Sequence, residues 1–278
     1  MSKQITINKL PEPTWNFLKV NQVVLNIDDS YNQTYVEHTA KSGEKNIYLQ
    51  IIDNNNNAIS STKLLAEDNA EIELVQVIKP SKGYNVINSI QAKAQKNSVV
   101  KVIQFMLGCG DNYSENVIEL EGEKSSCLID IAYLTEKQNL DINILVNHKG
   151  VKTNSDILVE GIIGEEGKKI FRGTINLQNG ASEAEGKEQE NVLLLDDNIK
   201  NQTIPVILCG QEDVKGAHGS SIGELNEEII FYLKSRGIDK SSAEKLMSYA
   251  KFNSVLEKID DKEISETVEK FIKERIKI

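Results

Sequence analysis

The sequence predicts a mainly β chain with a small α-helical region at its C-terminal end. Three observations lead there. Between about residues 21 and 210, short apolar runs, many of them alternating, are separated by Gly, Asn, Asp and Ser. No amphipathic helical pattern interrupts them. After Gly223 the apolar period becomes helical.

The elements follow in order. KLPEPTWNFLKVN (9–21) holds two of the four prolines and the only tryptophan, and it reads as an extended arm anchored by Trp15 and Phe17. The runs behind it include NVIEL (116–120), CLIDIAYL (127–134), LDINILVNH (140–148), DILVEGII (156–163), KIFRGTINL (169–177), NVLLL (191–195) and IPVIL (204–208). So long an all-β region forms a sandwich, a barrel or a solenoid. The runs recur at intervals of about 12–16 residues, wider than tight hairpins require. Aromatics are few, and DNNNN (53–57) offers amides that stacked turns align into ladders. These features favour a solenoid, and a sandwich stays open on periodicity alone. Asn226 is placed to cap a first helix whose Ile229, Ile230 and Leu233 share a face, with Gly237 as its left-handed stop. A second helix starts at Asp239 or Lys240, and a third runs through EISETVEKFIKERIKI. The expected division is an arm over 1–20, a β core over 21–210 and a helical region over 211–278.

The 278 residues are 39% hydrophobic, enough for a sizeable core. A net charge of −10 argues against nucleic acid or an anionic membrane as partner. Residues 222–278 hold 12 acidic and 11 basic side chains, so nearly all the excess lies before them. No run is long enough to span a bilayer, and MSKQITINKL lacks the apolar core of a signal peptide, so a cytoplasmic location is expected. Cys109, Cys127 and Cys209 lie far apart with no CxxC pair, which gives neither a disulfide framework nor a four-cysteine cluster. No phosphate-binding GxxxxGK[ST] loop is present, and three histidines leave little from which to build a nucleophile–His–acid set. The expectation is a chain that is not itself an enzyme.

Four stretches, in order, resemble the SufB/SufD family of iron–sulfur cluster assembly. GQEDVKGAHGSSIGELNEEIIFYLKSRGI (210–238) is similar to the family's DV-K run, His–Gly segment and FY-L–RGI helix. KIFRGTINLQNGASEAEGKEQENVLLLDDNIKNQTIPVIL (169–208), NHKGVKTNSDILVEGII (147–163) and LPEPTWNFLKVN (10–21) follow family patterns as well. The clear match covers roughly 130–253, and residues 21–110 match in texture only. The resemblance implies a right-handed parallel β-helix flanked by C-terminal helices. It implies a SufC-like ABC ATPase as partner, contacted mainly by those helices, and a homodimer or a heterodimer with a SufB-like paralogue through the β-helix. It implies an iron–sulfur cluster carried transiently, with none tightly bound. Glu190 stands where the SufB branch places a sulfur-accepting cysteine, and His218-Gly219 stands where that branch tends to carry His-Glu; both features look like the SufD branch.

Each candidate has a plain reading beside the functional one. His218 is a turn residue between Gly216 and Gly219, or a ligand to iron or cluster at a dimer interface; the resemblance favours the ligand. Glu190 and Gln189, in the charged stretch EGKEQE, read first as solvated and second as iron or interface groups. Cys209 reads as a small core residue, noted because its strand leads to His218, and Cys127 likewise as core. Cys109 lies in a turn. His148 is expected to be hydrogen-bonded and structural. Phe231 is assigned to packing, whereas Tyr232, Arg236 and Gly237 are candidates for ATPase contact. The function so read is a non-catalytic scaffold in iron–sulfur assembly. The alternatives are a purely structural β-solenoid and, against the acidic charge, a β-helix enzyme acting on polysaccharide.

Overall fold

In the computed structural model, which describes residues 3–14, 16–224 and 226–277, the chain winds into a parallel β-solenoid. One sheet holds β4 (Lys45–Asn54), β6 (Glu71–Pro80), β8 (Val99–Met106), β10 (Ser126–Glu136), β12 (Asn154–Gly164), β14 (Glu185–Leu194) and β16 (Lys215–Glu224). The other holds β3 (Asn32–Ala40), β5 (Ala58–Ala66), β7 (Asn85–Ala94), β9 (Asp111–Leu120), β11 (Asn139–His148), β13 (Lys168–Leu177) and β15 (Lys200–Cys209). Each strand pairs in parallel with the strand one turn on, and the step lengthens from Asn32 beside Ala58 to Lys168 beside Lys200. Two strands per turn account for the spacing of the apolar runs. The sandwich alternative fails because its strands would pair largely antiparallel.

The period-2 alternation sends one side of every strand into a shared interior. Ile129, Ile131, Ile142, Ile144, Ile157 and Val159 make its middle turns aliphatic. The earlier turns are different. Gln50, Gln76 and Gln104 stack in register inside, with Gln76 donating to Gln50 (2.6 Å) and Gln104 to Gln76 (2.8 Å). An amide ladder therefore runs through the interior, while at the Asn-rich turn Asn57 accepts from Asn85 N (2.9 Å) and donates to Ser30 Oγ (3.3 Å).

The three helices are α1 (Glu227–Ser235), α2 (Lys240–Leu256) and α3 (Lys262–Ile276). Asn226 caps α1 by accepting from Glu228 N (2.8 Å), and Gly237 takes φ +85° after it. α2 and α3 lie on the outer face of the even-numbered sheet. There Phe252, Val255, Val268 and Ile272 form a second core with Val75, Val77, Ile103 and Phe105. That core explains why β6 and β8 are apolar on both faces. Ion pairs Lys251–Glu160 (2.7 Å) and Arg275–Glu136 (2.7 Å) fix the helices to it.

Several expectations need correction. The solenoid does not stop at 210, since β16 continues it to Glu224; its Gly/Ser-rich sequence KGAHGSSIGE is too poor in apolar residues to read as a strand. The arm is not merely extended: β1 (Lys3–Ile7) pairs antiparallel with β2 (Val23–Ile27), and Leu10 and Val20 are the buried anchors. Phe17 is 75% exposed, and Trp15 falls outside the described residues. Phe231 is 76% exposed, because α1 has no buried residue and stands off the sheet that α2 and α3 cover.

Candidate functional site

The last two turns break the aliphatic interior. Reading along the even-numbered sheet, Ile129, Ile157, Glu188 and His218 are in register, and so are Ile131, Val159, Glu190 and Ser220. Parallel pairing keeps register partners on one face, so the positions that hold aliphatics in the middle turns hold carboxylates in β14.

Glu190 is fully buried, contrary to the solvated reading. The alternation along EGKEQENV puts Gly186, Glu188, Glu190 and Val192 on one side of β14, and that side is the interior. There Lys169 Nζ donates to Glu190 Oε1 (2.5 Å) and to Thr203 Oγ1 (3.0 Å), and Thr203 Oγ1 donates to Glu190 Oε2 (2.6 Å). Lys169 is itself fully buried; burial pushes its ammonium down and Glu190 opposes that shift. A buried charge without such a partner would be very costly. Glu188, 2% exposed, is pushed up to about 8, first by burial and then by the neighbouring charge of Glu190, so it keeps its proton at neutral pH. Its carboxyl group fits because Gly173 faces it: a Cβ at Gly173 would lie 1.9 Å from Glu188 Oε2.

Beyond this layer the solenoid is open. β15 and β16 are the terminal strands of their sheets, and every residue of β16 is exposed. His218 sits in the middle of β16, beside Glu188 in register. The turn reading of His218 is overturned, because Gly216 and Gly219 are strand residues without left-handed backbone angles. Gln189 alternates outward, exposed, and donates to Asn191 Oδ1 (3.3 Å). Cys209 ends β15 and is exposed, which corrects its core assignment: no further turn covers it. Its thiol donates to Gln211 O (3.2 Å). Facing positions across the interior pair Gly173 with Glu188, Ile175 with Gly186 and Ile207 with Gly216, so the facing strands run in opposite senses. Two residues beyond Ile207 and Gly216, Cys209 and His218 have therefore moved apart. The structure does not bring them together.

Among the described residues, no third His, Cys, Asp or Glu gathers at His218. The one set of three with ligand spacing among the described residues is Glu71, Glu73 and Asp260. Lys45 and Lys101 already occupy it, each with its ammonium 2.8 Å from Asp260 Oδ2, so it fastens the α2–α3 corner to β4, β6 and β8. His148 is enclosed by Thr153 Oγ1 and Ser155 Oγ, both at 2.8 Å, and burial pulls it down to about 4. Cys127 is buried. On α1, Tyr232 is 57% exposed and the guanidinium of Arg236 lies 5.3 Å from its ring centroid. Gly237, also exposed, turns the chain toward α2.

Glu188, Lys169, Gly173 and Thr203 were not foreseen. The one signal in the sequence was the apolar run NVLLL that follows EGKEQE directly: it marks a strand, and extending that strand back through EGKEQE turns every second residue inward.

Comparison with known proteins agrees with this architecture. A family model described as SUF system FeS cluster assembly, SufBD core domain, matches residues 14–251. The chain is 24% identical over 262 residues to the iron–sulfur cluster assembly protein SufD of Bacillus subtilis, which covers 92% of this chain and 57% of that protein. It is 29% identical over 165 residues to SufD of Escherichia coli, covering 59% and 39%. To an iron–sulfur cluster assembly SufBD family protein of Staphylococcus epidermidis it is 30% identical over 135 residues, covering 49% and 29%. It thus spans little more than half, or less, of the length of these relatives. With the core-domain model matched over most of its length and a solenoid built to that length, the chain belongs to the SufBD family.

Proposed function

We propose that this chain is a non-catalytic scaffold subunit of a Suf-type iron–sulfur assembly complex, working with an ABC-type ATPase of the SufC kind. The nascent cluster is its cargo, held transiently and shared with a second β-helix chain, which is either a copy of this one or a SufB-like paralogue. One observation carries the reading: the solenoid ends in an open turn whose edge strand presents His218, and the helices begin directly behind it. An unpaired strand edge is a template for another chain. His218 supplies one ligand, and the others come from the chain that closes the edge.

The helical side suits the ATPase. Ile229, Phe231 and Tyr232 are exposed together on α1. Beside them Asp196, Asp197, Glu224, Glu227 and Glu244 line a cavity of about 370 Å³ with Lys240, which pairs with Glu244 (3.6 Å), and the acidic excess favours a basic partner surface. Among the described residues no helix is long and apolar enough to cross a membrane.

The test is anaerobic co-expression with the candidate ATPase, followed by measurement of stoichiometry, iron and labile sulfide. His218→Ala is expected to keep the complex and lose most of the bound iron. Unchanged iron and sulfide in that variant would leave a structural solenoid as the better account. Removing the helices after Gly223 is expected to abolish ATPase co-purification.

A further inference from the structure

In this acidic chain one cavity is basic. It has a volume of about 370 Å³ and lies between the N-terminal segment and the first residues of β11, β13 and β15. Four lysines line it: Lys19, Lys168, Lys169 and Lys200, with Asp141 the one carboxylate. Asp141 is already neutralised, by Arg172 Nη1 on Oδ1 (2.5 Å) and Nη2 on Oδ2 (3.2 Å), with Asn8 Nδ2 also donating to Oδ1 (2.5 Å). Lys169 reaches inward to Glu190. Lys19, Lys168 and Lys200 remain, and none has a carboxylate partner among the described residues.

Their placement is unfavourable without a counter-charge. Lys168 and Lys200 are register partners on adjacent parallel strands, so like charges stand side by side. Elsewhere this solenoid sets opposite charges between neighbouring turns, as in Lys41–Glu67, Lys93–Glu121, Lys137–Glu165 and Lys152–Glu183. Lys19 reaches the same cavity from a residue with φ +55°. Val23, Val24, Leu140, Ile170 and Tyr113 supply apolar lining to the same cavity, with Gln22 and Asn139 as its neutral polar residues. Three lysines without a carboxylate partner, lining one cavity together with apolar residues, suit an anion of high charge density with an organic part.

We propose that this cavity binds a phosphate-bearing organic anion, its phosphate groups held by Lys19, Lys168 and Lys200 and its organic part against Tyr113. The cavity lies at the starts of β11, β13 and β15, does not include His218 of β16, and does not depend on the assembly role. Binding relieves the Lys168–Lys200 repulsion and ties the N-terminal segment to β13 and β15.

Calorimetric titration of the full chain with inorganic pyrophosphate and with ADP, at low and at high ionic strength, tests it. Saturable binding is expected, weaker at high salt. It should fall by about tenfold or more for each lysine removed in Lys168→Met, Lys200→Met and Lys19→Met, the scale of one charge-assisted hydrogen bond. Tighter binding of ADP than of pyrophosphate would support the apolar lining as part of the site. Lys270→Met, on α3, serves as the control and should bind as the parent does. Without ligand, Lys200→Met should melt no lower than the parent, which separates lost binding from lost folding. Absence of saturable binding by both anions at low salt would overturn the proposal. So would equal weakening in Lys270→Met, or unaltered binding when Lys168 and Lys200 are both replaced.

Discussion

The buried Lys169–Glu190 pair gives the sharpest test of the structure. Both side chains are wholly inside the solenoid and share Thr203, so neither has water to fall back on. Replacing Lys169 by Met leaves the Glu190 carboxylate in a low-dielectric interior with one hydroxyl. Breaking a buried pair from one side costs about 3–5 kcal/mol, against about 0–1 kcal/mol for an exposed pair. Glu190→Gln leaves Lys169 in the same position and belongs to the same range. Replacing both, as Lys169→Met with Glu190→Leu, removes the two desolvation costs together and should come out near neutral. The assay is urea unfolding of the four proteins. Hydrogen exchange over β13 to β16 should accompany it, because the end turns of a solenoid can open apart from the rest. Single variants within about 1 kcal/mol of the parent would refute burial of the pair. So would a double variant whose loss equals the sum of the singles, since that leaves no coupling between them.

Two further expectations follow from the interior. Gly173→Ala places a methyl group on the Glu188 carboxyl and should cost about 1–3 kcal/mol in urea unfolding; adding Glu188→Ala should recover much of it, and no recovery would mean the methyl meets something else. His148 has a folded-state value of about 4 against its ordinary 6.5, so the unfolded chain takes the proton first. Its contribution is complete above about pH 6.5 and is lost as pH falls toward 4, by about 3 kcal/mol at most. Comparing stability at pH 7 and pH 4.5 should show a smaller drop for His148→Gln than for the parent; equal drops would refute the assignment.

What was legible in the sequence divides along physical lines. The solenoid and the helices were readable because they rest on period: alternation between turn residues, then a helical period bounded by Asn226, Gly237 and Asp239. Family motifs located the junction around His218. Two kinds of feature were not readable. β16, KGAHGSSIGE, has almost no apolar pattern, because the final turn has no neighbour on one side to demand it. The charged interior was hidden by the opposite error. Glutamates and a lysine in EGKEQE and KKIF look solvated by residue type, and only the pairing of β13 with β15 and β14 with β12 encloses them together. Composition reports what a residue usually does, whereas register across 21 positions of chain decides what Lys169 and Glu190 do.

The order of layers at the open end distinguishes an interface from a plain cap. A solenoid that simply ends in water needs a polar outermost layer. Here the Lys169–Glu190 pair lies one turn inside the end and is fully covered. The turn outside it is not uniformly polar. Ile207 is half-buried and Ile222 is 48% exposed, while Gly216, His218 and Ser220 leave a shallow strip of bare backbone and one imidazole between them. Water gains little from such a surface, but a second strand gains backbone hydrogen bonds along β16 and apolar contact at Ile222. Burial first, and Glu190 second, push Glu188 up to about 8, so little carboxylate charge stands beside His218 in the register below it. In the proposed role, this exposed edge of β16 is the surface that a second chain would close.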